Sequence, residues 1–202
     1  MGINTISNIA NRDLRYIPYL CFMRKHNGMR PQDIVILLAI ISYGKKDWLM
    51  KDLAISLYIS QSEVSESLHR SQVAGLIDYN KHRVNRNALY EFLEFGLAYV
   101  FPVQPGPVAS GMPTAHSHPV FKNKIISEQF YVWPEPGGSV RGFAVEPLYN
   151  KQAKAVKENS ELYKLLAMVD VLRVGNRREI KFAKDILAKS ILHESSPEHH
   201  QN

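Results

Sequence analysis

Hydrophobic residues return at helical spacing in several stretches of this chain, separated by polar turns. In the first, Pro31 stands at a first-turn position and predicts a helix to about Tyr43, with Asp33 well placed against the N-terminal dipole. Ile34, Leu37, Leu38 and Ile41 share one face, and Val35, Ile36 and Ile40 widen it, so this helix is expected to be buried on two sides. Gly44 ends it. Leu53, Ala54, Leu57, Ile59, Val64 and Leu68 then fall where a helix, a tight turn and a second helix point inward. The first of that pair would run from Met50 to Leu57. Its partner would start at Ser60, whose hydroxyl can cap it, with Glu63 three residues on completing a capping box.

After Gly75, Leu76 and Ile77 the chain turns polar through DYNKHRVNRN. Asn87 can cap a helix from Ala88 to Leu97, with Leu89, Phe92, Leu93 and Leu97 inward and Phe95 and Tyr99 adding aromatic bulk that could reach beyond it; YVFPV then reads as a short strand. From Pro102 to Gly142 proline and glycine are dense, and FYVWP and RGFAV look like strands around PEPGG, either a small sheet or an extended arm. The end is helical again. Ser160 offers a cap for a helix with Leu162, Leu165, Leu166, Val169 and Leu172 on one apolar stripe, and Gly175 supplies the stop. Asn176 caps the next helix with Glu179 in the capping-box position and Ile180, Phe182, Ala183, Ile186, Leu187 and Ile191 on its buried side, so the two form a hairpin.

The outer face of the second helix of the tight pair carries Gln61, Ser62, Ser65, Glu66, His69 and Arg70. It is polar and hydrogen-bonding without being uniformly charged, which suits reading base edges in a major groove better than plain phosphate binding. The order of LA, then L, then SQSEVSESL and AGLI resembles the reader segment of winged helix-turn-helix regulators of the MarR-like type, over roughly residues 31–96. Residues 98–103, the PTA around Thr114 and the RVGNRRE run are similar to bacterial proteins labelled MarR-like. Tyr58 stands at the turn where that family usually has glycine, which points to a different turn geometry, and the segment after Ile77 is short for a full wing.

The resemblance implies a homodimer on a pseudo-palindromic duplex site, each reader helix in a major groove and half-sites about 10 base pairs apart. Gln61, Ser62 and Ser65, near the helix start, would contact bases; Lys51, Ser60 and His69 join them as candidates, and Arg70, Lys81, His82, Arg83 and Arg86 would hold phosphates. It also implies a small amphipathic effector, for which Tyr99, Phe101, Phe130, Tyr131 and Trp133 could line a pocket, although aromatic core packing explains them equally well. Glu63 and Glu66 on the same face repel phosphate. They motivate an alternative, a winged-helix protein-docking module or antitoxin-like member of a two-protein system.

Composition narrows these readings. The chain has 202 residues, 45% of them hydrophobic, enough for a real core. The net charge of +6 agrees with a nucleic-acid partner without requiring one. Cys21 is the single cysteine, which excludes an internal disulfide framework and any multi-cysteine metal site; it is expected to be a small buried hydrophobe. No apolar run is long enough to cross a bilayer and no signal-like segment opens the chain, which points to the cytoplasm. His116 and His118 could face one side of a strand and share a metal, or be exposed loop histidines. Arg173, Arg177 and Arg178 gather near a turn, either as a phosphate or partner site or as an internal ion pair with Asp170. No motif of a phosphate loop, zinc protease or nucleophile elbow occurs, so neither an enzyme nor a cofactor is expected.

The expected fold is α+β and mainly helical: a winged helix-turn-helix domain, a small β-containing region and a C-terminal helical hairpin. The divisions fall at 1–28 (an extension or an arm that packs on a partner subunit, with Met29 as an alternative start), 29–100 (the winged helix-turn-helix), 101–150 (the Pro/Gly-rich region), 151–193 (the hairpin) and 194–202 (a frayed tail).

Overall fold

The computed structural model describes residues 28–44, 46–122, 124 and 129–193. The expectations for residues 1–27, Cys21 among them, and for 194–202 lie outside these. The fold is α+β with helices dominant. Helix α1 (Pro31–Ser42) packs behind α2 (Met50–Ser56) and α3 (Gln61–Val73). Every residue from Asp33 to Ile41 in α1 is buried, which is why its apolar surface runs all the way round.

The two helices of the tight pair end in the same way. In each, the residue after the cap takes a left-handed conformation, and the next amide reaches back to a carbonyl in the last turn: Leu76 N–H to the Ser71 carbonyl at 2.9 Å, Ile59 N–H to that of Ala54 at 3.0 Å. At the end of α3 that residue is Gly75, with φ of 73°. At the end of α2 it is Tyr58, with φ of 55°, so the turn keeps the geometry that usually calls for glycine and carries a tyrosine in it. The Lys154 ammonium lies over the Tyr58 ring at 4.0 Å, an attraction that offsets part of the backbone cost.

Helix α4 (Arg86–Glu91) begins two residues earlier than the spacing suggests, because Asn85 and not Asn87 caps it. It continues through a wider π turn (Phe92–Gly96) into α5 (Leu97–Val100), so the strand expected in YVFPV is absent and Val100 ends a helix. Phe101 lies edge-on to Phe92, with ring centroids 6.3 Å apart.

The proline- and glycine-rich region is a three-stranded sheet. Strand β1 (Val108–Pro113) pairs antiparallel with both β2 (Tyr131–Pro134) and β3 (Val140–Ala144), and β2 and β3 meet in parallel, so the three close on one another. Such tight closure leaves no room for side chains at the crossings. A Cβ on Gly111 would fall 2.0 Å from the Trp133 carbonyl oxygen, and one on Gly142 2.4 Å from that of Phe130.

Helix α6 (Gln152–Ala155) leads into α7 (Ser160–Val174), capped by Asn159 rather than Ser160. The stripe expected on α7 is a full sleeve: every residue from Leu165 to Leu172 is buried. Helix α7 is the axis of the molecule, with α1 and α8 (Arg177–Leu192) packed on it and the sheet joined to it through Asp170. Helix α8 starts with the expected Asn176–Glu179 capping box. The apolar core runs without a break from Ile34 to Ile191. Polar ties also join its two ends, among them Asn159 Nδ2 to Ser42 Oγ at 2.9 Å and Tyr149 Oη to the Leu57 carbonyl at 3.2 Å.

Candidate nucleic-acid interface

Ser60 starts the outer helix α3 as designed by its sequence. Its Oγ accepts from the Glu63 amide at 3.2 Å, and Glu63 takes the Ser60 amide and hydroxyl at 2.9 and 2.8 Å. These bonds, the backbone one first, hold the Glu63 carboxyl below its ordinary range and turn its charge toward its own helix start. Ser60 is thereby occupied with capping. Val64, Ser67, Leu68 and Ser71 face inward, leaving Gln61, Ser62, Ser65, Glu66 and His69 exposed. Lys51, in the first turn of α2, is exposed as well.

Arg70 is not on that face. It is 8% exposed and forks onto Asp33 of α1, with Nε to Oδ2 at 2.9 Å and Nη2 to Oδ1 at 2.6 Å. Asp33 itself is fully buried and also accepts the Arg30 amide at 2.8 Å. The expected phosphate contact is therefore an internal clamp that holds α3 against α1. Glu66 faces the remaining end of the guanidinium, 3.7 Å away.

The segment after Ile77 is a tight hairpin. Ile77 and Val84 bridge its base, the Asp78 amide reaches the Arg83 carbonyl at 2.9 Å, and Lys81 takes the left-handed turn position with φ of 59°. Asp78 organises the tip: its Oδ1 accepts the amides of His82 and Arg83 at 2.7 and 2.9 Å. The hairpin leans on both neighbours. Gln72 Nε2 of α3 donates to the Tyr79 carbonyl at 3.2 Å, and Trp48 Nε1 to the His82 carbonyl at 3.3 Å. His82 and Arg83 are exposed and Lys81 partly so. Arg86 departs from the group: with Asn85 as the cap it falls inside α4, and its Nη1 donates to the Ile191 carbonyl at 2.8 Å.

Of the expected residues, Gln61, Ser62, Ser65 and His69 on α3, His82 and Arg83 on the hairpin with Lys81 at its tip, and Lys51 on the neighbouring helix thus stay at least partly exposed. Sequence reasoning overlooked Asp78 and Gln72, which fix the hairpin. The signal for Asp78 was present, since Asp opening a polar run is a common turn former.

Among the remaining candidates, the two histidines, Arg173 and Trp133 resolve into packing. His116 and His118 belong to no cluster of three metal-ligating side chains among the described residues, and they are not exposed loop residues. Both sit at short 3-10 turns, the side chain of His116 7% exposed and His118 as a whole residue 8% exposed. His116 Nε2 faces the Gln129 carbonyl at 2.7 Å, and His118 Nδ1 accepts the Val120 amide at 3.1 Å. Burial, with the Lys164 charge adding to it, pushes the His118 imidazole down to about 4. Arg173 pairs with the fully buried Asp170 at 2.8 Å, the internal ion pair, while Arg177 and Arg178 are exposed. The five aromatics do not share one setting: Trp133 is fully buried with its N–H on Asp170 at 2.5 Å, whereas Tyr99 is 85% exposed.

Compared with known proteins, the chain matches no family model, no curated protein and no solved structure. Among the described residues no helix is long and apolar enough to cross a membrane.

Proposed function

We propose that this protein is a sequence-specific regulator that binds duplex DNA as a homodimer, with α3 in the major groove and the hairpin against the sugar-phosphate backbone. The observation that carries the reading is the pairing of exposed, hydrogen-bonding side chains near the start of α3 (Gln61, Ser62 and Ser65) with a basic hairpin joined to that helix through Gln72. Amide and hydroxyl groups near a helix start discriminate base edges, and a neighbouring cationic loop fixes register on phosphates. The capping role of Glu63 supports this reading, because one of the two acids on the face is turned toward its own helix. Phe95 and Tyr99, a helical turn apart and 67% and 85% exposed, offer an apolar contact for the second copy.

Selection from a randomised duplex pool at two salt concentrations tests the proposal. A palindromic site and a steep salt dependence are expected. Arg83→Ala should weaken all sequences alike and flatten the salt slope by about one, while Gln61→Ala should relax preference at one position at a cost of about 1–3 kcal/mol. Identical effects of the two substitutions would break this division of labour.

A second reading rests on exposed apolar residues of α2, α3 and the hairpin. Ile55, Val73 and Tyr79 are 62%, 60% and 88% exposed, which suits a protein partner better than phosphates. In that case the pool selection would enrich nothing, and a stoichiometric protein would co-purify with the native chain but not with a Val73→Asp variant.

A further inference from the structure

Beside the hairpin a groove of about 740 Å³ opens between the end of α1, the segment around Trp48 and the start of α4. That volume lies in the range that holds small organic ligands, about 300–1,000 Å³. Ile40, Ile41 and Val84 contribute apolar lining. Trp48 forms an aromatic wall, fixed in place by its bond to the His82 carbonyl and by contact with the His82 ring, whose centroid lies 5.4 Å away at 41°. A held aromatic wall next to an apolar floor suits a planar ring, because stacking then costs little ordering.

The charged lining is unbalanced. Lys46, Arg83 and Arg86 stand against Asp47 alone, an excess of two positive charges. Among the described residues no hydrogen bond or ion pair engages the side chain of Lys46 or of Arg83. A monophosphate ester carries a charge of about −1.5 to −2 at neutral pH and three acceptor oxygens, matching that excess and offering Arg83 a forked contact. Inorganic phosphate would leave the apolar floor uncovered, and a neutral aromatic would leave the cations uncompensated.

We propose that this groove binds an aromatic phosphate monoester of the nucleoside monophosphate class, with the ring against Trp48 and the phosphate on Arg83 and Lys46. The pocket stands on its own lining. Only its consequence for DNA rests on the function proposed above: a phosphate in the groove engages Arg83, the hairpin cation assigned to the DNA backbone, so ligand and DNA compete.

The test is a titration of the full chain with AMP, followed by tryptophan emission. The chain has two tryptophans, and Trp133 is fully buried on Asp170, so Trp48 is the one a stacked ring can quench. Saturable quenching is expected, weakened about tenfold or more by Arg83→Ala, with adenosine and inorganic phosphate each binding at least about tenfold more weakly than AMP. Arg83 and Lys46 are exposed, so their variants should keep the circular dichroism of the parent. No saturable quenching, quenching that Arg83→Ala leaves unchanged, or equal binding of inorganic phosphate would overturn the proposal. A trinucleotide, whose internal phosphates are singly charged diesters, is titrated in parallel: weaker binding than AMP is expected of a monoester site, and tighter binding would overturn the proposal in favour of an unpaired strand. Because these titrations contain no duplex, failure of the DNA reading leaves them standing, and their failure leaves the DNA reading standing.

Discussion

Asp33 meets Arg70 across 37 positions of sequence, whereas Asp170 meets Arg173 one turn along the same helix, and the two buried pairs hold different things. Asp33 takes both prongs of one guanidinium and a single backbone amide, so it joins α1 to α3 at one point. Asp170 is a hub. Its Oδ2 receives the Thr114 hydroxyl at 2.8 Å and the Trp133 indole, and the Arg173 on its other oxygen also donates to the carbonyls of Phe101 and Glu146, both at 3.0 Å. Burial pushes the Asp170 carboxyl above its ordinary range against the lowering by Arg173 and its hydrogen bonds, while the bond to Asp33 raises Arg70. A buried charge pair is weak in net stabilisation but costly to break, so what each contributes is a fixed geometry. The first fixes the pitch of the outer helix; the second fixes the sheet on the central helix.

The largest expected effect is at the hub. Asp170→Ala would strand a hydroxyl, an indole N–H and a guanidinium in the core, and should cost about 3–5 kcal/mol, read as a lowered urea midpoint. A loss under about 1 kcal/mol would mean that the hub is as dispensable as a surface pair.

The clamp should behave differently. Arg70→Met leaves Asp33 charged and fully buried, at a cost of about 3 kcal/mol, but pairing it with Asp33→Leu should restore most of that by replacing two ions with apolar volume. If the clamp sets the pitch of α3 and the proposed DNA binding holds, the double variant will be stable yet altered in sequence preference. Unchanged preference would reduce Arg70 to a packing role.

Acid sharpens the contrast further, because His118 sits on the sheet side of the molecule, its ring 4.2 Å from that of Tyr163 on α7. Its folded value of about 4 lies below its ordinary 6.5, so the folded state favours the neutral ring. The stability this represents is fully present above pH 6.5 and is lost as the pH falls from there toward 4. Thermal melts should show His118→Asn losing less stability than the parent across that window, and parallel pH curves for the two proteins would refute the assignment.

The smallest effect is at the turn before the outer helix. Tyr58→Gly relieves a left-handed backbone that costs roughly 1–2 kcal/mol in other residues, but gives up chain stiffness and the Lys154 contact, so a net gain under about 1 kcal/mol is expected. A loss on chemical denaturation would show that the ring, not the backbone, decides this position.

Legibility followed the range of the interactions. Capping boxes at Ser60–Glu63 and Asn176–Glu179 act within four residues and could be read directly. Asn85 was overlooked because Asn85 and Asn87 both precede an apolar helix, and only the hairpin pairing of Ile77 with Val84 leaves Asn85 at the helix start. Arg70 was assigned outward because a long cation at a helix edge is normally solvated; nothing within its own helix marks a carboxylate buried on α1. For α7 the clue was available: between Lys164 and Arg173 the one charge is Asp170, too few for a helix with a wet face.

By itself the sequence determined most of the helical segments, the capping boxes of α3 and α8, and the outward placing of Gln61, Ser62, Ser65 and His69 on α3, since these depend on local periodicity and hydrogen bonds between near neighbours. The tertiary structure decided which charges are buried, that β1 closes the small sheet, that Arg86 turns to α8, and that a basic groove lies beside the hairpin. Each of these requires groups far apart in the chain to meet, and desolvating a charge is tolerable only once its distant partner is in place.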